Sequence, residues 1–262
     1  MMADAWHFTD LEFVAVWESL REGAIPPPFV FTSRTPLHAD FTREKNEARA
    51  RIRERWGDAL DPVLAVLAHP DIRVLVQGWS GGDPADPAGR LSVLGVRHGH
   101  QGYLVQQTPG ETIWHSRAFT IAECDAVHLG AAVGGALPEC AAGKWNRVVL
   151  DSAAARPDVD YVYGRSLAHE LTFDPDTERR RRFDKMPEVG SGRIEISQAR
   201  SRFGPRGVTR RKLGWRDLEG DGRYAITDGR PPVAIAADPK RLISLINAEI
   251  AEVVRAIKDE RV

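Results

Sequence analysis

The sequence is poor in cysteine, since its 262 residues include only Cys124 and Cys140. Neither belongs to a CxxC pair, and two cysteines cannot form a disulfide framework for a chain of this length. So little cysteine suits a reducing compartment. We therefore expect a cytoplasmic protein without disulfide bonds.

Long apolar stretches are also lacking. No run of about 20 consecutive apolar residues is present, so no membrane span is expected. The first eight residues lack the basic start and the apolar core of a secretory signal, and we expect no signal peptide.

An excess of charge of one sign is missing as well, because 36 Lys and Arg balance 37 Asp and Glu. This balance argues against a dedicated nucleic-acid binder. Two local basic segments remain, at residues 179–182 and at residues 200–212, the second with six cations and no acid. Solvated surface is the favoured interpretation because stacking aromatics are scarce among them. A nucleic-acid-binding regulator stays open as the alternative, as does recognition of an acidic protein partner.

Motifs of catalysis are absent. The sequence has no GxSxG elbow, and His169-Glu170 lacks the second histidine of HExxH. His98-Gly99-His100 has no further ligand at metal-binding spacing, and the glycine-rich residues 78–89 lack the Lys-Ser/Thr of a phosphate loop. We assign no catalytic, cofactor or metal residue and expect no enzyme; an uncharacterised small-molecule enzyme is the last alternative.

Local patterns in the first half predict helices followed by strands. Thr9-Asp10-Leu11-Glu12 has the spacing of a capping box and predicts the first helix. The remaining predictions are helices at residues 39–56 and 61–67, strands at 29–31, 72–79, 90–98, 103–107 and 112–117, and a helix opened by a second capping box at 120–123, with Cys124 and His128 on its apolar face.

The second half repeats this order of elements. Strands are predicted at residues 145–150, 194–199, 208–217, 223–227 and 233–236, helical segments at 157–183, and a long amphipathic helix after Asp238-Pro239. The repetition predicts a meander-plus-helix unit used twice. We expect an α+β fold in a single domain, residues 1–262, whose halves are about 1–140 and 141–262.

Three segments carry a resemblance to a known family. They are residues 8–18 (FTDLEFVAVWE), residues 213–224 (LGWRDLEGDGRY) and residues 233–242 (VAIAADPKRL). In combination they resemble the EspG family, and the order of elements between them agrees with that family over nearly the whole chain.

The resemblance implies a fold and a function. EspG proteins are cytoplasmic chaperones of actinobacterial type VII (ESX) secretion systems, built as a central antiparallel sheet flanked by helical bundles on a quasi-twofold plan. They bind PE-PPE heterodimers through the apolar tip of the PPE subunit and keep them soluble. The resemblance thus implies a protein partner, without nucleic acid, membrane or cofactor.

The same resemblance places the binding groove between the sheet and the C-terminal helical bundle. On this chain that region comprises residues 79–90, residues 194–198, Trp215 and the first part of the last helix. The predicted partner-binding residues are Trp79, Ile194, Ile196, Gln198, Arg206, Arg210, Arg211 and Trp215. The three arginines among them are candidates for charges on the rim of the groove.

Overall fold

The strand segments assemble into one ten-stranded antiparallel sheet. A computed structural model describes residues 5–20, 23–150 and 175–260 of the chain. The strands are β1 Ala5–Thr9, β2 Ile72–Ser80, β3 Arg90–His98, β4 Gln101–Pro109, β5 Ser116–Asp125, β6 Arg147–Val149, β7 Glu188–Gln198, β8 Arg210–Leu218, β9 Gly222–Thr227 and β10 Val233–Ala236. The α-helices of the described residues are α1 Asp10–Leu20, α2 His38–Trp56, α3 Asp61–Ala68, α4 Leu129–Gly135, α5 Pro175–Lys185 and α6 Pro239–Asp259.

The order of the strands confirms the predicted duplication. Across the sheet they run β1-β5-β4-β3-β2-β7-β8-β9-β10-β6, so the two halves meet at β2 and β7. Outward from this junction, the first half runs through the four-strand meander β2-β3-β4-β5 and ends at the edge strand β1. The second half runs through the meander β7-β8-β9-β10 and ends at the edge strand β6. In each half, the edge strand comes before the meander in the chain. Val76 pairs with Ile194 at the middle of the junction. The fold is therefore α+β with two related halves, as predicted.

One face of the sheet is covered along its centre by α4 and α6. Apolar side chains from β2, β7 and β8 alternate toward these helices, and α6 adds a stripe of four buried residues: Leu242, Ile246, Ile250 and Val253. Fully burying side chains of this size contributes about 1.5–3 kcal/mol each to folding. This face holds one of the two large hydrophobic cores of the described residues, which we name the central core.

The other face carries two separate helical layers. In the first half, α1, α2 and α3 pack on β3, β4 and β5, where the Phe13 and Phe119 rings stack at 4.1 Å. In the second half, Phe183 of α5 meets the ring of Tyr224 on β9 edge to face at 5.1 Å. The central strands lie between the two layers, which positions the site described below.

Two predicted helix starts are confirmed by their hydrogen bonds. The backbone amide of Glu12 donates to Thr9 Oγ1 at 3.2 Å, and the amide of Thr9 donates to Glu12 Oε2 at 2.9 Å. At the start of α6, Asp238 Oδ1 accepts from the amide of Arg241 at 2.7 Å.

The second predicted capping box is wrong. Residues 120–123 belong to β5, where Phe119 and Ile121 alternate into the core. Pairing on both sides, with β4 and with β1, gives these residues more buried contacts than a surface helix would. Cys124 consequently lies on a strand, and His128 is exposed beside Asp125 instead of lying on a buried helix face.

Two further predictions need correction, and one strand was missed. Residues 112–117 form a turn that enters β5, and residues 29–31 are not a strand, although Phe29 is buried against Phe119. Strand β1 was not predicted, because its five residues are too few to show a clear alternation. The helical prediction for residues 157–174 lies outside the described residues.

Candidate functional site

The floor of the candidate site is the centre of the sheet, on the face opposite α6. Since side chains alternate along a strand, Val74 and Val76 point into the central core while Leu75 points to the opposite face. Across the β2–β7 junction, Leu75 pairs with Glu195. The neighbouring pairs on this face are Arg73 with Ser197, Gln77 with Arg193, Ser197 with Arg210, and Glu195 with Lys212.

Two chain segments border this floor and form the walls of the site. On one side lie residues 24–28, where the indole Nε1 of Trp17 donates to the carbonyl of Ala24 at 3.2 Å. On the other side lies the connection between β7 and β8, residues 199–209, which contributes Pro205 and Val208. Together the floor and walls enclose a groove of about 790 Å³. We name it the central groove.

The central groove combines apolar and basic side chains. Its apolar lining includes Ile25, Leu75 and Val208, each half-buried. Its charged lining consists of four arginines and one acid: Arg73, Arg193, Arg200, Arg210 and Glu195. The chain as a whole is nearly neutral, so the positive charge is concentrated locally.

Neutral partners hold two of these arginines in place. Arg193 Nη2 donates to Gln77 Oε1 at 2.9 Å, and Arg200 Nη2 donates to His69 Nδ1 at 3.0 Å. Such hydrogen bonds orient a guanidinium without cancelling its charge. These two partners therefore leave the positive charges of Arg193 on the floor and Arg200 on the wall in place.

The β7–β8 connection is fixed to the end of the last helix by one carboxylate. Glu260 accepts from Ser201 Oγ at 2.9 Å and from the backbone amide of Arg202 at 3.0 Å. Desolvation by burial is the largest single influence on the pKa of Glu260, and it raises that pKa. These two hydrogen bonds and a further one from Gln198 together outweigh desolvation, so the pKa of Glu260 is lowered. One wall of the central groove thus depends on a contact with the C-terminal end of α6.

Reactive groups are sparse in the described part of the chain. Desolvation by burial raises the pKa of Cys124 to about 11 and also raises that of Cys140, so neither thiol is activated. Within residues 5–20, 23–150 and 175–260, no group of three His, Cys, Asp or Glu side chains is arranged to hold a metal ion. In the same residues, no helix is both long and apolar enough to span a membrane.

A family model described as the EspG family matches residues 9–248. The chain belongs to the EspG family. The match takes in nearly all of the three segments on which the resemblance rested, and the predicted family is confirmed.

A comparison with solved structures agrees at the level of the fold. The chain is similar to the Mycobacterium tuberculosis type VII secretion system chaperone EspG5, whose structure was determined in complex with a PE25-PPE41 dimer. The TM-score is 0.57 at 13% sequence identity, and the alignment covers 97% of this chain and 96% of that one. The comparison with curated proteins found no match.

In this EspG-family chain, three of the predicted partner-binding residues are buried on the covered face. Ile194 and Ile196 are fully buried beneath α6, and Trp215 is 1% exposed. The Trp215 ring lies so close to β7 that a Cβ at Gly192 would fall 2.2 Å from Cη2. These side chains form the core behind the central groove and present no surface to a partner in this structure.

The predicted arginines lie on different sides of the sheet. Arg210 lines the central groove, and Arg206 is exposed in the β7–β8 connection. Arg211 points to the opposite face, where its Nε lies 2.5 Å from Glu249 Oε2 of α6. The basic run at residues 200–212 is therefore divided between two faces.

The remaining two predicted residues frame the site. Gln198 is 3% exposed, and its Oε1 accepts from the amide of Thr209, which closes the base of the β7–β8 connection. Trp79 is half-buried on the same face as Leu75, opposite Arg90 and Ser191. Burial lowers the pKa of Arg90. Beyond them, residues 81–86 of the β2–β3 connection are exposed.

Among the groove-facing residues of the central strands, Arg210 was predicted by number and Glu195 only within the range 194–198, whereas those of β2 were not predicted. Arg73, Leu75, Gln77, Arg193 and Glu195 line the central groove but were not among the candidate residues. The available signal was the alternation of β2 and β7, which separates Val74 and Ile194 from these positions. Alternation defines two sets of residues, but it does not tell which set a helix covers.

Proposed function

We propose that this chain is a type VII secretion chaperone that binds a PE-PPE heterodimer and holds the apolar tip of the PPE subunit in the central groove. Family membership and the likeness to EspG5 support the chaperone role. We further propose that it acts in the cytoplasm, before its partner is secreted, and without catalysis.

The observation that carries the proposal is the composition of the central groove. Half-buried Ile25, Leu75 and Val208 offer apolar contact inside a rim of polar and charged side chains. Recognition interfaces commonly have this arrangement, with an apolar centre and a polar rim. A protein tip with exposed apolar residues tends to aggregate, and a groove of this kind can cover it reversibly.

The size of the surface is adequate when its neighbours are included. A standard recognition interface buries about 1,600 Å² in total. The central groove, the half-buried Trp79 and the exposed residues 81–86 together offer a continuous strip along the β2–β3 hairpin. We propose that the exposed part of this hairpin adjusts to the bound partner.

Co-expression tests the proposal. The chain would be produced together with PE-PPE heterodimers from its own genome, purified by affinity and analysed by size exclusion with mass measurement. A 1:1:1 complex with one heterodimer is the expected result. Retention of none of them, with every heterodimer shown to be folded and soluble, would contradict the proposal.

Two substitutions locate the contact. Leu75→Gln on the floor and Val208→Gln on the wall each place a polar amide in the apolar centre, and each should weaken the complex about tenfold or more. Ala248→Gln is the matched control because Ala248 is exposed on α6, on the other side of the sheet. Thermal unfolding of each variant shows whether it is folded.

A further inference from the structure

The charges of the central groove are not compensated evenly along β8. Near α5, Arg216 is paired with Glu188 at 2.6 Å and lies over the ring of Phe183. At the other end of the same strand, Arg210 and Lys212 are exposed, and neither makes an ion pair within the described residues. The uncompensated charge thus lies beside the β7–β8 connection.

Further cations extend this patch. Arg206 is exposed in the β7–β8 connection, next to Pro205 of the groove wall, and it also lacks an ion-pair partner among the residues that the structure describes. Arg193 and Arg200 add charge along the floor and wall, while Glu195 is the one acid of the described groove lining. We name Arg206, Arg210 and Lys212 the basic rim.

The basic rim lies close to the apolar centre. Lys212 pairs with Glu195 across the β7–β8 ladder, and Glu195 pairs with Leu75 across the junction. Neighbouring strands lie about 4.8 Å apart, so Lys212 is two strands, roughly 10 Å, from Leu75. If a bound helical segment contacts Leu75 with an apolar side chain, the residues one or two helical turns away from that side chain come close to the basic rim.

We propose that the partner segment entering the central groove carries acidic side chains directly beside its apolar tip, and that these pair with the basic rim. This inference rests on the proposed function and specifies the chemistry of the partner. Complementary charge would steer the heterodimer to the groove and fix its orientation, whereas the apolar contact at Leu75 would supply most of the burial.

A nucleic acid fits this surface less well. Proteins that bind single strands stack bases on exposed aromatic rings. The aromatic side chain of the described groove lining is Trp17, which is 6% exposed and donates its indole N–H to Ala24. The floor is also closed in by two protein walls, a shape suited to a polypeptide tip.

Charge reversal tests the inference on the complex with the PE-PPE heterodimer that wild type retains. Association rates of wild type and of the double variant R210E/K212E would be measured by biolayer interferometry at 50 and 300 mM NaCl. We expect the variant to associate roughly tenfold more slowly at low salt and to lose most of its salt dependence. Arg53→Glu on α2 is the matched control, since Arg53 is exposed and does not line the groove.

A compensating change makes the test specific. Replacing the acidic residues of the PPE tip with lysine should weaken binding to wild type and restore binding to R210E/K212E. A retained partner whose tip carries no acid, or whose association is unaffected by R210E/K212E and by salt, overturns the inference but leaves the proposed function intact. If wild type retains no heterodimer, both fail; steep salt-dependent binding of DNA by wild type would then favour a nucleic-acid partner.

Discussion

Neighbouring residues on the central strands have opposite environments. Val74 and Leu75 are adjacent on β2, yet Val74 is fully buried beneath the α4 and α6 layer and Leu75 lines the central groove. On β8, Arg211 is paired with Glu249 of α6, whereas Arg210 faces the groove. On each of these strands, alternate residues face α4 and α6, and the residues between them face the groove and are available for recognition.

Under the proposed function, this difference separates the residues that serve folding from those that bind the partner. On the central strands, the side chains beneath α4 and α6 are apolar and buried, so they contribute directly to stability. The side chains on the groove side of the same strands are half-buried or exposed and mostly polar, so substituting them should cost less folding free energy. Substitutions at matched positions on the two faces should separate these effects.

The largest contrast is expected between Ile194→Ala and Leu75→Ala. Ile194 is fully buried, and its truncation should lower the free energy of unfolding by about 2–5 kcal/mol. Leu75 is half-buried, and its truncation should cost roughly 1 kcal/mol while weakening binding to a PE-PPE heterodimer. Urea unfolding of both variants checks the stability difference, and equal losses would contradict the distinction between the faces.

Two glycines on the neighbouring strands β7 and β8 sharpen the comparison. In Gly192→Ala the new methyl group would meet the Trp215 ring at 2.2 Å and the Gln77 carbonyl oxygen at 2.5 Å, so a loss of about 1–3 kcal/mol is expected. At Gly214, which pairs with Arg193, the nearest atom is Ile226 Cβ at 3.4 Å. Gly214→Ala should therefore change stability little, and thermal unfolding of the two variants measures the difference.

A smaller effect should separate Arg211→Gln from Arg210→Gln. The Arg211–Glu249 pair is partly exposed, at 47% and 18% of the two side chains, and its loss should cost at most about 1 kcal/mol. Arg210→Gln should leave unfolding unchanged, within about 0.5 kcal/mol. A double-mutant cycle with Glu249→Gln gives the energy of the pair, and no coupling would show that the pair does not stabilise α6.

The smallest predicted effect is the pH dependence of the stability that Glu260 contributes through its hydrogen bonds to residues 201–202 of the groove wall. The pKa of this carboxyl is lowered in the folded protein, so its stabilising contribution is present above the ordinary glutamate pKa and is lost as pH falls through the folded value. The difference in urea midpoint between wild type and Glu260→Gln should therefore shrink from pH 6 to pH 3. A difference that stays constant over this range would show that the charge of Glu260 is not what holds residues 201–202.

Local signals predicted much of the fold. The capping residues Thr9 and Glu12, the Asp238-Pro239 start of α6 and the alternation of β2 and β3 all act within a few residues, and the structure agrees with each. The capping spacing at Thr120 and Glu123 gave the wrong result because pairing with β4 and β1 decides that segment. Long-range pairing of this kind leaves no local pattern in the sequence.

The site was predictable only in part. The resemblance pointed to residues 194–198, and this segment does border the central groove through Glu195 and Ser197. It selected Ile194 and Ile196, however, which belong to the buried set. Which of the two sets faces a helix depends on where α6 packs after a separation of about 45 residues, and the alternation of one strand does not contain that information.

The central claim is that the partner occupies the central groove, between residues 24–28 and residues 199–209. Hydrogen exchange of the chain alone and in complex with a PE-PPE heterodimer that it retains on co-expression tests this most directly, because it reports which backbone amides the partner protects. We predict that protection increases in these two segments and in β2 and β7, with no change in the outer turns of α6. Protection confined to α4 and α6, with unchanged exchange in the groove segments, would contradict the account.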